Sequence, residues 1–281
     1  MKFAVVGLGL IGASFARRLK ENHNNVVYGY DISDEVMLKA NLIGAIDSEI
    51  TEENIKEVDM LIISLYPRLL KQTALKYLKS LKDGAIVVDF SGVKRHVVDD
   101  MKELAKEYPN LKFVAVHTMA GREYSGIDKS LTHLFDDASC IITNVNADIF
   151  TVDELKHFFL SLGFGEVVYS TAENHDEMIA YTSQLCHIVS NAFIKSPTTQ
   201  KHFGYSAGSY KDLTRVARLN STMWSELMND NRDYLKDELD FLIKSLTEYK
   251  NALSKGDEKE LKALLEEGNQ LKIAIDKDNE K

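Results

Sequence analysis

The sequence predicts an α/β protein, in which a doubly wound parallel sheet at the N-terminal end is followed by an all-α C-terminal domain. Three observations predict this fold class. Short apolar runs alternate with helix-like segments in the first half, a glycine-rich turn follows the first run, and no convincing strand run appears after Asn174. The 281 residues leave room for about two domains. We place these domains at residues 1–170 and 171–281.

The apolar runs of the first half are continuous rather than alternating, which is typical of strands covered on both faces. They are KFAVVG (2–7), VVYGYD (26–31), MLIISL (60–65), AIVVDF (85–90), FVAVH (113–117), CIITN (140–144) and EVVYS (166–170). Helix-like segments separate several of them, such as ASFARRLKENH, HVVDDMKELAKEY and TVDELKHFFLSLGF. Alternation of strand and helix implies a parallel sheet with right-handed crossovers.

The second half is helical in pattern. HDEMIAYTSQLCHIVSNAFIKS (175–196) and the stretch after Met223 both favour helices. A heptad seam runs through Leu235, Leu239, Leu242, Leu246, Tyr249 and Leu253. The seam indicates either a helix packed on its own domain or a subunit interface.

A glycine motif joins the first predicted strand to the first predicted helix. Its residues are Gly7-Leu8-Gly9-Leu10-Ile11-Gly12. The first glycine permits a tight turn, the second lets the backbone approach a pyrophosphate, and the third allows close helix–strand packing. Asp31 ends the second strand, where a carboxylate accepts hydrogen bonds from a ribose diol and repels a 2′-phosphate. The motif therefore indicates a Rossmann-type domain that binds NAD in preference to NADP.

Polar residues follow three further strands at the edge that carries the glycine motif. Ser64 and Tyr66 follow the third strand, Ser91 follows the fourth, and His117 ends the fifth. Ligands of open parallel sheets bind outside the carboxyl ends of the strands, so we expect all four residues near the cofactor. An imidazole, whose pKa in water is about 6.5, is suited to moving a proton at neutral pH. On position alone, a strand-end histidine bonded to a neighbouring carbonyl is the alternative.

Composition excludes several classes of protein. The net charge of −9 argues against nucleic-acid and membrane-surface partners. No apolar run reaches the roughly 20 residues of a membrane-spanning helix. The two cysteines, Cys140 and Cys186, offer neither a disulfide framework nor metal-ligand spacing, and no HExxH motif is present. We expect a cytoplasmic protein without a metal.

Four segments, in order along the chain, resemble motifs of the prephenate dehydrogenase family. They are GLGLIGAS (7–14), HTMAGREYSG (117–126), ENHDEMIAYTSQLCHIVSNA (173–192) and GSYKDLTRVA (208–217). They are similar to the family's cofactor loop, its His-Pro-Met-Ala-Gly segment, the first long helix of its second domain and its substrate-binding segment. Thr118 replaces the usual proline. The resemblance covers nearly the whole chain.

The resemblance implies oxidative decarboxylation of prephenate to 4-hydroxyphenylpyruvate on the route to tyrosine, with NAD as hydride acceptor. It implies that His117 accepts a hydrogen bond from the ring hydroxyl and that Arg215 grips a substrate carboxylate, which a guanidinium fork suits. The resemblance also implies a homodimer that pairs through the helical domain. Residues expected in the polar shell around the substrate are Glu123, its neighbour Arg122, His175, His187 and Asp212.

One position departs from the family pattern. The family reads Asp-x-x-Ser-x-Lys after its fourth strand, with that serine near the catalytic histidine, whereas this chain reads Asp89-Phe90-Ser91-Gly92-Val93-Lys94. Either Ser91 turns inward, or a water takes the role, or the site has a different preference or rate. We expect activity because His117 and Arg215 are both present.

Three other functions fit parts of the pattern. Arogenate dehydrogenase performs the same chemistry on an aminated substrate, and Gln184 and His187 are where we expect a pocket to distinguish the two. A hydroxyacid or imine reductase shares the two-domain plan, but it is expected to use a lysine or aspartate on the second domain's first long helix, for which Lys195 lies late. A sensor that binds NAD without turnover is supported only by the missing serine.

Overall fold

The structure, a computed structural model, describes residues 1–122 and 124–279. The chain divides into two compact units, of which the first spans Met1–Asn231 and the second begins at Arg232. The domain boundary after residue 170 lies inside the first unit and stays a prediction.

The described residues of the first unit form an eight-stranded sheet. Its strands are β1 (Lys2–Val6), β2 (Val26–Tyr30), β3 (Ser48–Glu49), β4 (Met60–Ile63), β5 (Ile86–Asp89), β6 (Lys112–Thr118), β7 (Ser139–Asn144) and β8 (Glu166–Tyr169). Their order is β3-β2-β1-β4-β5-β6-β7-β8, which confirms the predicted doubly wound fold. Only β3 was not predicted, because its two exposed polar residues carry no apolar signal.

The sheet is parallel except that β7 runs antiparallel to β6. This pairing differs from the wholly parallel sheet that the sequence predicts. A parallel return requires a crossover of a dozen or more residues, usually a helix. Among the described residues between β6 and β7, the only helical segment is the 3₁₀ turn Ile127–Lys129.

Both faces of the sheet are buried. Phe3 and Val5 of β1 belong to one apolar cluster, whereas Ala4 and Val6 belong to the other. Successive strand residues point to opposite faces, so burial on both faces explains why the predicted runs are continuous.

Helices cover the sheet. They are α1 (Leu10–Lys20), α2 (Asp34–Leu42), α3 (Leu70–Ala74), α4 (Arg95–Glu107) and α5 (Ile149–Ser161). In α4 the buried side chains Val97, Met101 and Leu104 recur at helical spacing, so one face of the helix is apolar and packs on the core.

The rest of the first unit is helical, as predicted. It contains α6 (Ala172–Ile179), the π-helical turn Ala180–Leu185, α7 (Cys186–Phe193), α8 (Gly208–Thr214) and α9 (Ser221–Asp230). The side chain of Thr171 caps α6 by accepting the N–H of Asn174. Because α6, the π-helical turn and α7 are contiguous, they form one long helical element that carries three of the candidate site residues: His175, Gln184 and His187.

The second unit contains α10 (Arg232–Lys255) and α11 (Glu258–Asn279). Gly256, at φ +66°, makes the turn between them. The hydroxyl of Tyr249 donates to the carbonyl of Leu264 at 3.1 Å and so joins the two helices. The predicted heptad seam is helical throughout, but Leu246 and Leu253 are 57% and 64% exposed.

The described residues were expected to lack membrane spans and metal sites, and three observations bear on these features. No helix within the described residues is both long and apolar enough to cross a bilayer. Across residues 1–122 and 124–279, no three His, Cys, Asp or Glu side chains are grouped as metal ligands would be. Cys140 is buried and Cys186 is exposed, and both are free thiols.

Candidate functional site

The glycine turn, residues 7–12, joins β1 to α1 at the point where the strand order reverses. Gly7 has φ +88°, and a Cβ there would lie 2.4 Å from the carbonyl oxygen of Ser64. A Cβ at Gly12 would lie 1.9 Å from the carbonyl oxygen of Gly7. Neither position has room for a side chain, so the turn itself requires both glycines.

Gly9 faces open space, since a Cβ at this position would meet no protein atom within 4 Å. Gly9 is also the N-cap of α1 and supplies no side-chain acceptor. The first N–H groups of a helix have no partner within the helix and favour an anion. The turn therefore fits the pyrophosphate of NAD.

Asp31 lies directly after β2. Its Oδ2 accepts the N–H of Leu8 at 2.9 Å, and its Oδ1 accepts the N–H of Ser33 at 3.0 Å. Each carboxylate oxygen can accept a further hydrogen bond, so Asp31 is held in place with capacity left for a ribose diol. Ser64 and Tyr66 follow β4, where Ser64 is half-buried and Tyr66 is 36% exposed.

A buried ion pair lies beneath the turn that follows β5. Lys94 Nζ donates to Asp89 Oδ2 and to the carbonyl of Ser91, each at 2.8 Å, and both charged side chains are fully buried. Burial lowers the pKa of Lys94, although Asp89 opposes the shift. The hydroxyl of Ser91 donates to the same carboxylate oxygen. Since Asp89 Oδ1 also accepts the N–H of Val116 at 3.1 Å, the pair fastens this turn to β6.

His117, near the end of β6, contacts His175 of α6. Nδ1 of His117 lies 2.9 Å from Nε2 of His175, and Nδ1 of His175 lies 2.8 Å from Oδ1 of Asp176. His117 is half-buried, and the other two are almost fully buried. The structure thus brings together two predicted site residues and adds Asp176. We call these three residues the histidine cluster.

Asp176 is held by the N-terminal end of α4. Its Oδ1 accepts the N–H of Lys94 at 2.7 Å, and its Oδ2 accepts the N–H of Arg95 at 2.9 Å and Arg95 Nε at 3.2 Å. A helix N-terminus stabilises a negative charge. Asn231 Nδ2 donates to the carbonyl of Asp176 at 2.8 Å and fixes its backbone as well.

Burial and hydrogen bonds shift the pKa values of all three side chains in the histidine cluster. Burial holds the pKa of His117 well below its usual value, and His175 and Lys94 lower it further. Burial also lowers the pKa of His175, although its hydrogen bond to Asp176 opposes this. Burial alone would raise the pKa of Asp176, but hydrogen bonds from His175 and from the N–H groups of Arg95 and Lys94 lower it. The result is two neutral imidazoles and one carboxylate.

Gly92 occupies the position at which the family pattern has serine, and it faces the cluster. A Cβ there would lie 3.9 Å from His117 Nε2 and 3.5 Å from a methyl group of Leu227. The missing side chain would therefore point at the imidazole. Ser91 does not replace it, because its hydroxyl donates to Asp89.

The other predicted substrate residues that the structure describes lie on other segments of the first unit. Arg215 begins the 3₁₀ turn Arg215–Ala217 and is exposed. His187 holds this turn on α7, since its Nδ1 lies 3.1 Å from the carbonyl oxygen of Val216 and its ring centroid lies 3.9 Å from that of Trp224. Asp212 of α8 and Arg122 are both exposed. Glu123 lies outside the described residues.

Gln184, expected to help distinguish substrates, has another role in the structure. It is buried in the π-helical turn, its Nε2 donates to the carbonyl of Leu227 at 3.2 Å, and its Oε1 accepts from Asn231 at 2.9 Å. These bonds tie the π-helical turn to the residues in and after α9.

Sequence reasoning assigned no role to Lys94 and did not single out Asp176 or Asn231. The spacing of Asp89 and Lys94 across a turn could have predicted their ion pair, since a lysine there can reach back to the strand end. Asp176 directly follows His175, so an acidic neighbour of a candidate histidine was a second signal. No local signal points to Asn231, which bonds Asp176 from 55 residues away.

Comparison with known proteins gives two family matches. The nucleotide-binding domain of prephenate dehydrogenase matches residues 15–168, and the dimerization domain of prephenate dehydrogenase matches residues 171–267. The two matches cover most of the chain and follow each other in the family's order.

Individual relatives match over nearly the full chain. A cyclohexadienyl dehydrogenase of Zymomonas mobilis is 28% identical over 99% of this chain and 97% of its own. A prephenate dehydrogenase of Lactococcus lactis is 28% identical over 98% of this chain and 77% of its own. The crystal structure of Aquifex aeolicus prephenate dehydrogenase with hydroxyphenyl propionate and NAD+ superposes with a TM-score of 0.84 at 28% identity, covering 98% of each chain. The chain belongs to the prephenate dehydrogenase family of NAD-dependent oxidoreductases.

Proposed function

We propose that this protein catalyses the NAD-dependent oxidative decarboxylation of prephenate to 4-hydroxyphenylpyruvate in tyrosine biosynthesis. The observation that carries the proposal is the placement of His117. It is a neutral imidazole at the carboxyl end of β6, where ligands of such sheets bind, and its Nε2 faces the turn at Gly92. Membership of the family supports the reaction class.

In this reaction His117 Nε2 accepts the hydrogen bond and then the proton of the ring hydroxyl. Bound at the glycine turn, NAD would supply the hydride acceptor for the ring carbon that carries this hydroxyl. The ring carboxylate leaves as carbon dioxide, the ring becomes aromatic, and the ring oxygen takes its proton back from His117, which is neutral again. The reaction requires the protein to hold the ring carbon within about 3–3.5 Å of the hydride acceptor. The lowered pKa of His117 keeps its imidazole unprotonated at neutral pH.

The remaining site residues take the following roles in the proposal. The glycine turn, Asp31, Ser64 and Tyr66 hold NAD. Arg215 grips a substrate carboxylate from a turn that His187 fastens to α7, which supports a fixed position for the guanidinium. Further polar residues around the substrate are Arg122, Glu123 and Asp212.

The alternative substrate is arogenate, which carries an amino group in place of the keto group. Both compounds contain the same cyclohexadienyl ring, so His117 would act on both in the same way. The discriminating group is not Gln184, whose amide is bonded to Leu227 and Asn231.

The decisive experiment compares rates of NADH or NADPH formation with each substrate and each cofactor. We expect turnover with prephenate and NAD to exceed every other combination. Faster turnover of arogenate would reassign the substrate. Folded protein that binds NAD but forms no NADH with either substrate would refute the enzyme proposal.

We also propose a cytoplasmic homodimer in which residues 1–170 bind NAD and residues 171–281 bind substrate and pair the subunits. The family match over residues 171–267 to a dimerization domain supports the pairing, as do the exposed seam residues Leu246 and Leu253. Sedimentation of the wild type and of Leu246→Asp tests it, and a monomeric wild type would contradict it. The free thiols of Cys140 and Cys186 fit a reducing compartment.

A further inference from the structure

We infer that His175 is a positioning residue rather than a substrate ligand. Together with Asp176 it holds the imidazole of His117 in the tautomer with hydrogen on Nδ1, so that Nε2 is the atom that accepts the substrate proton. The kinetic consequence rests on the proposed function, whereas the tautomer does not.

The argument starts at Asp176, which can only accept hydrogen bonds. Its carboxylate receives two backbone N–H groups from α4 and Nε of Arg95, and these contacts stabilise the ionised form. Nδ1 of His175 lies 2.8 Å from Oδ1 of this carboxylate. Because the oxygen has no hydrogen to offer, Nδ1 of His175 carries the hydrogen of that bond.

The next step follows from the neutrality of His175. Its ring is almost fully buried, and burial lowers its pKa, so one ring nitrogen alone is protonated at neutral pH. With the hydrogen on Nδ1, its Nε2 is an acceptor. This nitrogen lies 2.9 Å from Nδ1 of His117, which therefore donates. The hydrogen bond at one ring nitrogen decides the state of the other, so Nε2 of His117 is left with a lone pair.

The orientation of His117 makes this lone pair useful. Nε2 is the ring atom that faces Gly92, because a Cβ at Gly92 would lie 3.9 Å from it. In water the opposite tautomer, with hydrogen on Nε2, is the commoner form of a neutral histidine side chain. A histidine in that form would present a donor to the substrate hydroxyl in place of an acceptor. His175 therefore selects the tautomer of His117, which the position of His117 on β6 does not determine by itself.

The same contacts exclude His175 as a substrate ligand. Both of its ring nitrogens are engaged, one by Asp176 and one by His117, and the residue is 1% exposed. The charged groups that act on His117 and His175 are Lys94 and Asp89 from the β5 turn and Asp176 from α6, and Arg95 of α4 contacts Asp176.

Nuclear magnetic resonance tests the tautomer directly. In NAD-bound protein labelled with ¹⁵N-histidine, two-bond proton–nitrogen correlations show which ring nitrogen of His117 is protonated, and His117→Asn identifies its signals. We expect a protonated Nδ1 and an unprotonated Nε2. Hydrogen on Nε2 in the wild type would overturn the inference, whatever the enzyme's activity.

Two substitutions test the cause. In His175→Gln the amide can donate to Asp176 and accept from His117, whereas His175→Leu provides neither contact. We expect the Gln variant to keep the Nδ1–H tautomer and to turn over within about tenfold of the wild type, and the Leu variant to lose about 10²-fold or more in kcat. In both variants KM should change by less than about threefold, since substrate binding is not the affected step.

Other outcomes would overturn the assignment. A raised KM with normal kcat would make His175 a substrate ligand. Equal losses in the Gln and Leu variants, with equal NAD affinity and thermal stability, would show that the imidazole contact does not select the tautomer. If neither variant folds, the wild-type spectrum still decides the tautomer.

Discussion

The glycine turn and the histidine cluster lie at the same edge of the sheet but are built in different ways. The turn uses six consecutive residues, and its geometry depends on the absence of side chains at Gly7 and Gly12. The cluster joins side chains of β6 and α6 that are 58 residues apart, and the N-terminal end of α4 supports it.

Because the two regions are built differently, each can control a different function. A turn made of backbone offers N–H groups to an anion and affects cofactor affinity. A chain of buried side chains sets the protonation state of one imidazole and affects the rate of the chemical step. Substitutions in the two regions should therefore change different measured quantities.

The largest effect is expected at His117. In His117→Asn the base is lost, and kcat should fall by about 10²–10⁴-fold while the Kd for NAD is unchanged. Steady-state kinetics and calorimetric titration with NAD measure the two quantities. His157→Asn, which changes an exposed histidine of α5, is the matched control and should leave both unchanged. Near-normal turnover of His117→Asn would refute the assignment of the base.

Substitution of Arg215 should change substrate affinity, a quantity that neither the glycine turn nor the histidine cluster is expected to control. If its guanidinium grips a carboxylate that is buried when substrate binds, Arg215→Ala weakens prephenate binding by about 2–5 kcal/mol. Lys211→Ala removes an exposed cation of α8 and should leave binding unchanged. An unchanged KM for prephenate in Arg215→Ala would contradict the role.

Substitutions of two glycines in the turn should distinguish an effect on NAD affinity alone from an effect on both NAD affinity and stability. Gly12→Ala places a Cβ against the carbonyl of Gly7, so both thermal stability and NAD affinity should fall, with a loss of stability of about 1–3 kcal/mol. Gly9→Ala meets no protein atom and should keep the Tm, but its methyl group enters the space for the pyrophosphate and should raise the Kd for NAD about tenfold or more. Thermal melts and NAD titrations of both variants measure this, and an unchanged Kd in Gly9→Ala would place the pyrophosphate elsewhere.

Asp31 should control cofactor choice. Asp31→Ala removes the carboxylate that a 2′-phosphate would meet, and the preference for NAD over NADP should fall by about tenfold. Asp34→Ala removes an exposed carboxylate at the start of α2 and serves as the control. Unaltered selectivity in Asp31→Ala would show that this residue does not contact the ribose.

The smallest effect is expected at Gly92. A Cβ there makes ordinary contacts with Leu227, so Gly92→Ala and Gly92→Ser should both fold. The serine hydroxyl would reach His117 Nε2, and kcat of the Ser variant should exceed that of the Ala variant by up to about tenfold. Equal rates in the two variants would show that the cluster works without a hydroxyl at this position.

Features that depend on neighbours along the chain could be predicted from the amino-acid sequence. Continuous apolar runs identified seven of the eight described strands, because burial on both faces leaves no polar alternation. The spacing of Gly7, Gly9 and Gly12 predicted the tight turn between β1 and α1, because its geometry is set within one β–α unit. The apolar run that ends at His117 placed this residue at the carboxyl end of its strand, where ligands of parallel sheets bind.

Features that join distant segments follow from the three-dimensional packing and could not be predicted from local patterns. The antiparallel pairing of β7 depends on how the segment between β6 and β7 returns, and no local pattern encodes it. Lys94 and Asp176 became parts of the site because α6 packs its N-terminal end against α4, which places a carboxylate on two backbone N–H groups. The resemblance had placed His175 beside the substrate, whereas the structure places both of its nitrogens on protein groups. The sequence specifies the chemical groups of each residue, whereas the packing of the helices determines which atoms those groups contact.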